Sequence, residues 1–297
     1  MCPYQGLAAF DRRSSRFFHG RDRLVADVLR QIADRISDPR PLIVVGASGA
    51  GKTSLLRAGV LPALAAGDET VPGCWQWPQL VLRPGGDPLG ALAALVAGPA
   101  GEPAGRVRAA LAADPATLRR HLHTALAATG PHRRGAGGGG ADAGGATRRV
   151  LLVVDQFEEL FTAEVADSDR QAFVHALVAA ARSGDTDPDG GGPAAGPAVV
   201  VVGVRADYYG RCTDYPQLAP ALSGGQVVVG PMSRDELRQA ITQPAAQAGL
   251  DLEHGLAEVL LRDLRVPAGT GDPGSDGGTP HGRPAGTLPL LSYALLP

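Results

Sequence analysis

The chain has 297 residues, of which 44% are hydrophobic and 20% charged, and its formal net charge is −2. This length and apolar content are typical of one large or two ordinary globular domains and exclude a chain that is disordered throughout. The charge balance shows no basic excess, so it does not imply a nucleic-acid partner.

The cysteines and the apolar runs restrict the class further. Cys2, Cys74 and Cys212 lie far apart, without a CxxC or a Cys/His zinc spacing, which argues against a disulfide scaffold and a Cys-rich metal site. The N-terminus has no basic region followed by an apolar stretch, and the longest apolar runs are strand-sized. We therefore expect a soluble cytoplasmic protein without a membrane partner.

Strands and helices alternate over the first 230 residues. Apolar runs without polar alternation predict buried strands at 41–46, 79–82, 149–154, 198–204 and 226–230. Helices are predicted at 51–64, 89–96, 115–128, 157–162 and 167–182. This order indicates an α/β fold with a parallel sheet covered by helices on both faces.

After residue 230 the pattern is helical only. Ser233 followed by Glu236 forms a capping box for a helix that continues through Ala248, and further helices are predicted at 252–264 and 288–296. Gly/Pro-rich tracts at 130–147, 183–197 and 267–287 are too poor in apolar residues to pack and indicate flexible surface insertions.

A glycine-rich loop follows the first predicted strand and matches the pattern G-x-x-x-x-G-K-[ST]. Glycines let backbone N–H groups approach phosphate oxygens, and the start of a helix favours the same anion. Lys52, the only lysine against 27 arginines, supplies a compact charge, and the Thr53 hydroxyl is a ligand for Mg²⁺. The predicted nucleotide contacts are Gly46, Ala47, Ser48, Gly49, Ala50, Gly51, Lys52, Thr53 and Ser54.

Asp155 directly follows the third predicted strand. The carboxyl ends of parallel strands border the crevice in which open α/β sheets bind ligands. Downstream of a phosphate loop this is a Walker B pattern, whose Asp holds Mg²⁺, so Thr53 and Asp155 are the predicted metal residues. The alternative is that Asp155 caps the helix at 157–162.

The residues after Asp155 bear on hydrolysis. Either Glu158 or Glu159 could orient an attacking water, or both could stabilise the first turn of a helix through its dipole. Gln156 stands where many hydrolytic P-loop enzymes carry Glu. Because an amide cannot act as a carboxylate base, we do not expect fast hydrolysis.

Arg205 follows the fourth predicted strand, at the same edge of the sheet. A fixed cation there could sense the γ-phosphate of a nucleotide. The alternative is an ion pair with Asp207 or another surface acid. With Asp155, Glu158 and Glu159, Arg205 completes the set of candidate catalytic residues.

Six segments of the chain, taken in order, resemble the NTPase module of the STAND class, within the AAA+-related P-loop ATPases. The likeness is greatest to the bacterial novel STAND NTPases that often accompany WD-repeat propellers. The segments that carry it are 2–7, 17–22, 46–62, 155–161, 204–211 and 286–291.

The resemblance implies further site residues. His19-Gly20-Arg21 matches a box that lies beside the adenine, so Gly20 and Arg21 are expected to contact nucleotide. Leu288-Pro289 matches an element of the helical lid whose proline, Pro289, packs on the adenine side, although Pro289 could instead merely start a helix. Arg205 matches a sensor arginine. His19 and Asp22 replace the usual Phe/Tyr and Glu.

The resemblance also implies the organisation and function. We expect an N-terminal arm at 1–40, a P-loop NTPase core at 41–230 and a truncated helical lid at 231–297. The expected cofactors are ATP or ADP with Mg²⁺, and the expected activity is that of a signalling switch with slow hydrolysis that self-associates or binds protein partners. A nucleotide-stabilised interaction module without catalysis and a small-molecule phosphotransferase are the alternatives.

Overall fold

The computed structural model describes residues 2–128, 148–182, 196–264 and 295. Contacts divide the chain into two compact units. Unit 1 comprises Met1–Ala26, Gly46–Pro62 and Val229–Pro297, and unit 2 comprises Asp27–Val45 and Ala63–Val228. The predicted insertions and the predicted helix at 288–296 lie almost wholly outside the described residues, and so does Pro289.

Within the described residues, five strands form one sheet in the order β2-β3-β4-β1-β5. They are β1 (Leu42–Gly46), β2 (Gln79–Leu82), β3 (Val150–Val154), β4 (Ala198–Arg205) and β5 (Val227–Val229). β3 pairs in parallel with both β2 and β4, with Leu82 opposite Val154 and Val154 opposite Val202. Every residue of β1 and β3 is buried, because both faces of the sheet are covered. The predicted α/β class is confirmed.

The helices alternate with these strands as follows: α1 (Asp22–Ser37), α2 (Lys52–Ser54), a π-helical turn Leu55–Val60, α3 (Leu61–Ala66), α4 (Pro88–Ala100), α5 (Ala104–Ala113), α6 (Leu118–Ala128), α7 (Glu159–Thr162), α8 (Asp167–Ala181), α9 (Ala219–Ser223), α10 (Arg234–Gln247) and α11 (Leu256–Asp263). The described ranges also contain five 3₁₀ segments: Ser15–Phe17, Cys74–Gln76, Pro115–Thr117, Ala206–Asp214 and Pro216–Leu218. No helix of the described residues is long and apolar enough to cross a membrane.

Unit 2 holds the larger apolar core. Alternate residues of the strands pack against α4, α5, α6 and α8 in one cluster of buried side chains. Phe157, immediately after β3, is wholly buried and stacks on Phe173 of α8, with ring centroids 6.4 Å apart. This packing fixes the loop that leaves β3.

Unit 1 has its own apolar cluster, which centres on Met232, Leu237, Ile241 and Leu261. The N-terminal segment joins it through the buried Tyr4, whose hydroxyl donates to the Ile241 carbonyl oxygen at 2.6 Å. Ser233 and Glu236 form the predicted capping box of α10, each side chain accepting the backbone N–H of the other residue.

Three helices were not predicted: α1, α5 and the five-residue α9. α1 has apolar residues on one face, of which Val28, Leu29 and Ile32 are buried, so its spacing of three and four residues did carry a helical signal. α5 buries only Val107 and Leu111, which is too few apolar positions to stand out from an alanine-rich sequence.

Candidate nucleotide-binding site

The glycine-rich loop lies in unit 1, between the last residue of β1 and the start of α2. Gly49 and Gly51 have φ angles of 71° and 90°, in the left-handed region that favours glycine. Gly46 is needed for a different reason, since a Cβ there would lie 2.7 Å from the Val229 carbonyl oxygen. The loop therefore has the backbone conformation that lets N–H groups converge on an anion.

Lys52 is the first residue of α2, and only 9% of it is exposed. Its Nζ donates to the carbonyl oxygens of Gly46 at 2.8 Å and Ala47 at 2.9 Å. The ammonium group is thus held against the loop, where a polyphosphate would need a counter-charge.

The next two residues differ in their surroundings. Thr53 is half-buried in α2. The Ser54 hydroxyl accepts the backbone N–H of Phe10 at 3.1 Å and so fastens the N-terminal segment to this helix. Nucleotide contact by Ser54 remains a prediction.

Arg21 is buried within unit 1, with 6% exposed. Its Nη2 donates to the carbonyl oxygens of Gly230 at 2.7 Å and Ala50 at 3.4 Å, and its Nη1 lies 4.0 Å from Glu236 Oε2. Burial lowers the pKa of the Arg21 guanidinium, and Glu236 opposes that shift. Arg21 therefore links the glycine-rich loop, at Ala50, to the backbone at Gly230.

Gly20 and His19 precede this arginine. Gly20 has φ +81°, and a Cβ there would lie 2.2 Å from the carbonyl oxygen of Glu236. The buried His19 Nε2 has no hydrogen-bond partner in the part of the chain that the structure describes. An unsatisfied nitrogen of this kind fits a ligand with a hydrogen-bonding edge, such as a nucleobase.

Asp155 lies in unit 2, at the carboxyl end of β3, and 1% of it is exposed. Its N–H donates to the Leu82 carbonyl oxygen of β2 at 2.9 Å, and the N–H of Phe157 donates to Gly203 of β4 at 2.9 Å. Since α7 begins at Glu159 with Glu158 as its N-cap residue, Asp155 does not cap that helix. The capping alternative is wrong, and the metal role of Asp155 stays a prediction.

The two glutamates after Asp155 hold neighbouring loops. Glu158, with 9% exposed, accepts the backbone N–H of Arg205 through Oε2 at 3.1 Å. Glu159 Oε2 accepts the backbone N–H of Gly85 at 3.2 Å. Both carboxylates therefore bind the backbone at the ends of the two strands that border β3. No local sequence pattern predicted these contacts.

Arg205 forms an ion pair with Asp207, as the alternative interpretation anticipated. Its Nε and Nη2 lie 3.1 Å and 2.6 Å from the two carboxylate oxygens. The hydrogen bonds with Asp207 raise the pKa of the Arg205 guanidinium above its ordinary value. A sensor role for Arg205 stays a prediction.

Sequence reasoning missed Arg83, which directly follows β2 and was given no role. Its Nε lies 4.0 Å from Asp155 Oδ2. The sequence shows that Arg83 follows a predicted strand, but only the sheet order shows that this strand borders the Asp155 strand.

A glycine-rich phosphate loop after the first strand of a parallel α/β sheet defines the class of P-loop NTPases. Within that class the chain belongs to the novel STAND NTPase family, because the family model Novel STAND NTPase 1 matches residues 3–297. The chain is therefore a nucleotide-binding NTPase of this family. No curated protein matches it.

Solved structures of ORC proteins are among those to which the chain is similar, at low sequence identity. The Aeropyrum pernix ORC2 protein in ADPNP-ADP complexes has a TM-score of 0.47 and 16% identity over 76% of this chain and 52% of that chain. Drosophila ORC bound to DNA has 0.49 and 14% over 92% and 54%. The Aeropyrum pernix ORC1 protein in complex with DNA has 0.49 and 14% over 94% and 60%. The chain thus spans less than two thirds of each of them.

Proposed function

We propose that this chain is an Mg·ATP-binding switch of the STAND type that hydrolyses its nucleotide slowly. The observation that carries the proposal is the glycine-rich loop: Gly49 and Gly51 are left-handed, and the buried ammonium group of Lys52 lies against the loop. These features fit a polyphosphate, because N–H groups, a helix start and a compact cation act on the same anion.

We assign the metal to two residues of the sequence motifs. The Thr53 hydroxyl and the Asp155 carboxylate would hold Mg²⁺, because both are hard oxygen ligands of the kind that magnesium prefers. The metal would supply positive charge that neutralises the outer phosphates.

Slow hydrolysis follows from the residues after β3. Gln156 cannot accept a proton as a carboxylate does, and each of Glu158 and Glu159 accepts a backbone N–H from a neighbouring loop. A carboxylate that is fixed to a neighbouring loop in this way cannot reorient freely toward an attacking water, and a general base needs that geometry first. We expect turnover below about 1 s⁻¹, the lower end of the usual enzyme range.

The test is the affinity for ADP and for a non-hydrolysable ATP analogue, measured by calorimetry with Mg²⁺ on the chain and on Lys52→Ala. Loss of the charged contact is expected to weaken binding about 10- to 100-fold. Thermal unfolding of both proteins without nucleotide controls for folding. Equal affinities would refute the proposal.

A nucleotide-stabilised interaction module without catalysis is the second candidate. It is favoured by the same occupied carboxylates and by Gln156. Phosphate release over hours separates the two functions: measurable turnover supports the slow NTPase, and tightly held ADP without turnover supports the module. Light scattering with the ATP analogue and with ADP then tests whether nucleotide state controls self-association.

A further inference from the structure

Arg83 and Asp155 occupy equivalent places at the ends of neighbouring strands. Leu82 and Val154 are opposite each other in the parallel pair of β2 and β3, and each of the two charged residues directly follows one of them. The Arg83 Nε lies 4.0 Å from Asp155 Oδ2, with 47% of the Arg83 side chain and 2% of the Asp155 side chain exposed. The half-exposed guanidinium group of Arg83 therefore lies near the buried carboxylate of Asp155.

Gln156 holds that cation in place. It has a φ of 60°, which is unusual for a residue other than glycine. In the amide orientation that satisfies both neighbours, its oxygen accepts from Arg83 Nη2 at 3.1 Å and its nitrogen donates to Glu159 Oε1 at 2.7 Å. A glutamate at this position could not donate to Glu159. The amide is therefore suited to link Arg83 with Glu159.

Glu159 provides a second link between the loop after β2 and the loop after β3. Its other oxygen accepts the backbone N–H of Gly85, two residues after Arg83. The loop after β2 and the loop after β3 are thus joined at two places, and the Arg83 guanidinium is kept near Asp155 by the backbone as well as by charge. An ordinary surface ion pair lacks this support.

We propose that Arg83 is a positioning residue that sets the Mg²⁺ requirement of the nucleotide site. Its guanidinium neutralises Asp155 when no metal is bound and opposes a second cation at the same carboxylate. The inference rests on the proposed function, in which Asp155 holds the metal. It makes the apparent affinity for Mg²⁺ weaker than Asp155 alone would give.

The experiment measures ADP binding by calorimetry at a series of Mg²⁺ concentrations and takes the concentration that gives half-maximal binding. Arg83→Gln removes the charge and is expected to lower this concentration about fivefold, the effect of a modest, partly exposed ion pair. Arg83→Lys keeps the charge and is expected to stay within about twofold of the original chain. Arg106→Gln, at an exposed position of α5, is the matched control.

Each outcome decides between the two proposals. If Asp155→Asn leaves the Mg²⁺ dependence unchanged, Asp155 does not hold the metal and the proposed metal site fails. If Asp155→Asn shifts it but Arg83→Gln does not, the role of Arg83 alone is overturned. If Arg83→Gln weakens ADP binding at saturating Mg²⁺, the arginine binds phosphate instead, which also overturns the inference. Arg83→Met is a second neutral variant should Arg83→Gln fold poorly.

Discussion

At the scale of single residues, the box that resembles an adenine contact has a structural reason of its own. Gly20 lies so close to α10 that a Cβ would approach the carbonyl oxygen of Glu236 to 2.2 Å. The next residue, Arg21, donates to the carbonyl oxygens of Gly230 and Ala50. Glycine followed by arginine is therefore required for the packing of unit 1, whatever else these residues contact.

Gly20→Ala is expected to lower the free energy of unfolding by about 1–3 kcal/mol, because the left-handed backbone is strained and the backbone oxygen cannot easily move. Gly105→Ala is the matched control: Gly105 lies in α5, where a Cβ meets nothing within 4 Å. There alanine is expected to stabilise by about 0.5–1 kcal/mol. Denaturant unfolding without nucleotide measures both, and similar values for the two variants would contradict the packing argument.

The conformation of the glycine-rich loop was predictable, because one motif fixes the positions of its glycines and Lys52, whereas contacts between residues distant in the sequence were not. Nucleotide contact by the loop residues stays a prediction. The hydrogen bond between Phe10 and Ser54 and the pair formed by Glu158 and the Arg205 backbone join residues more than forty positions apart. No local pattern encodes such partners.

At the scale of elements, the start of α10 was predictable from a few neighbouring residues. Its capping box was predicted at Ser233 and Glu236, and both reciprocal hydrogen bonds are present. Such a cap needs only four successive residues. The start of α7, by contrast, is set by the burial of Phe157 and by its N–H bond to Gly203 of β4, so the prediction began that helix two residues early.

Ser233→Ala removes one acceptor of the capping box and is expected to cost about 1 kcal/mol of unfolding free energy. Thr242→Ala, in the same helix, is the control. Its hydroxyl donates to the Arg238 carbonyl oxygen within the helix at 2.9 Å, and alanine is the better helix former, so we expect a change within about 0.5 kcal/mol. Equal losses in chemical denaturation would mean that the cap contributes nothing specific.

The strands were predicted within one residue at each end, because unbroken apolar runs between turn residues define them. Their order, β2-β3-β4-β1-β5, was not predicted. Pairing depends on crossover connections and on which faces the helices cover, and these are tertiary properties. The meeting of Arg83 with Asp155 depends on that order, which is why the sequence did not reveal it.

At the scale of the whole molecule, unit 1 is built from three separate segments and unit 2 from two. The glycine-rich loop belongs to unit 1, whereas Asp155 and both tryptophans, Trp75 and Trp77, belong to unit 2. A division into consecutive domains at 1–40, 41–230 and 231–297 remains a proposal. The placement of the tryptophans allows unfolding of unit 2 to be followed separately by fluorescence.

A bound nucleotide is expected to stabilise the folded chain by mass action. ADP with Mg²⁺ at about 100 times its Kd adds about 2.7 kcal/mol and raises the Tm by several degrees, which scanning calorimetry measures. Chelating the metal is expected to reduce the rise, because the phosphates then lack their counter-charge. Lys52→Ala, with about 10- to 100-fold weaker binding, is expected to keep only about 0.4–1.4 kcal/mol of this stabilisation, since the loop loses its ammonium group. An equal rise in Lys52→Ala would mean that the nucleotide binds away from the glycine-rich loop.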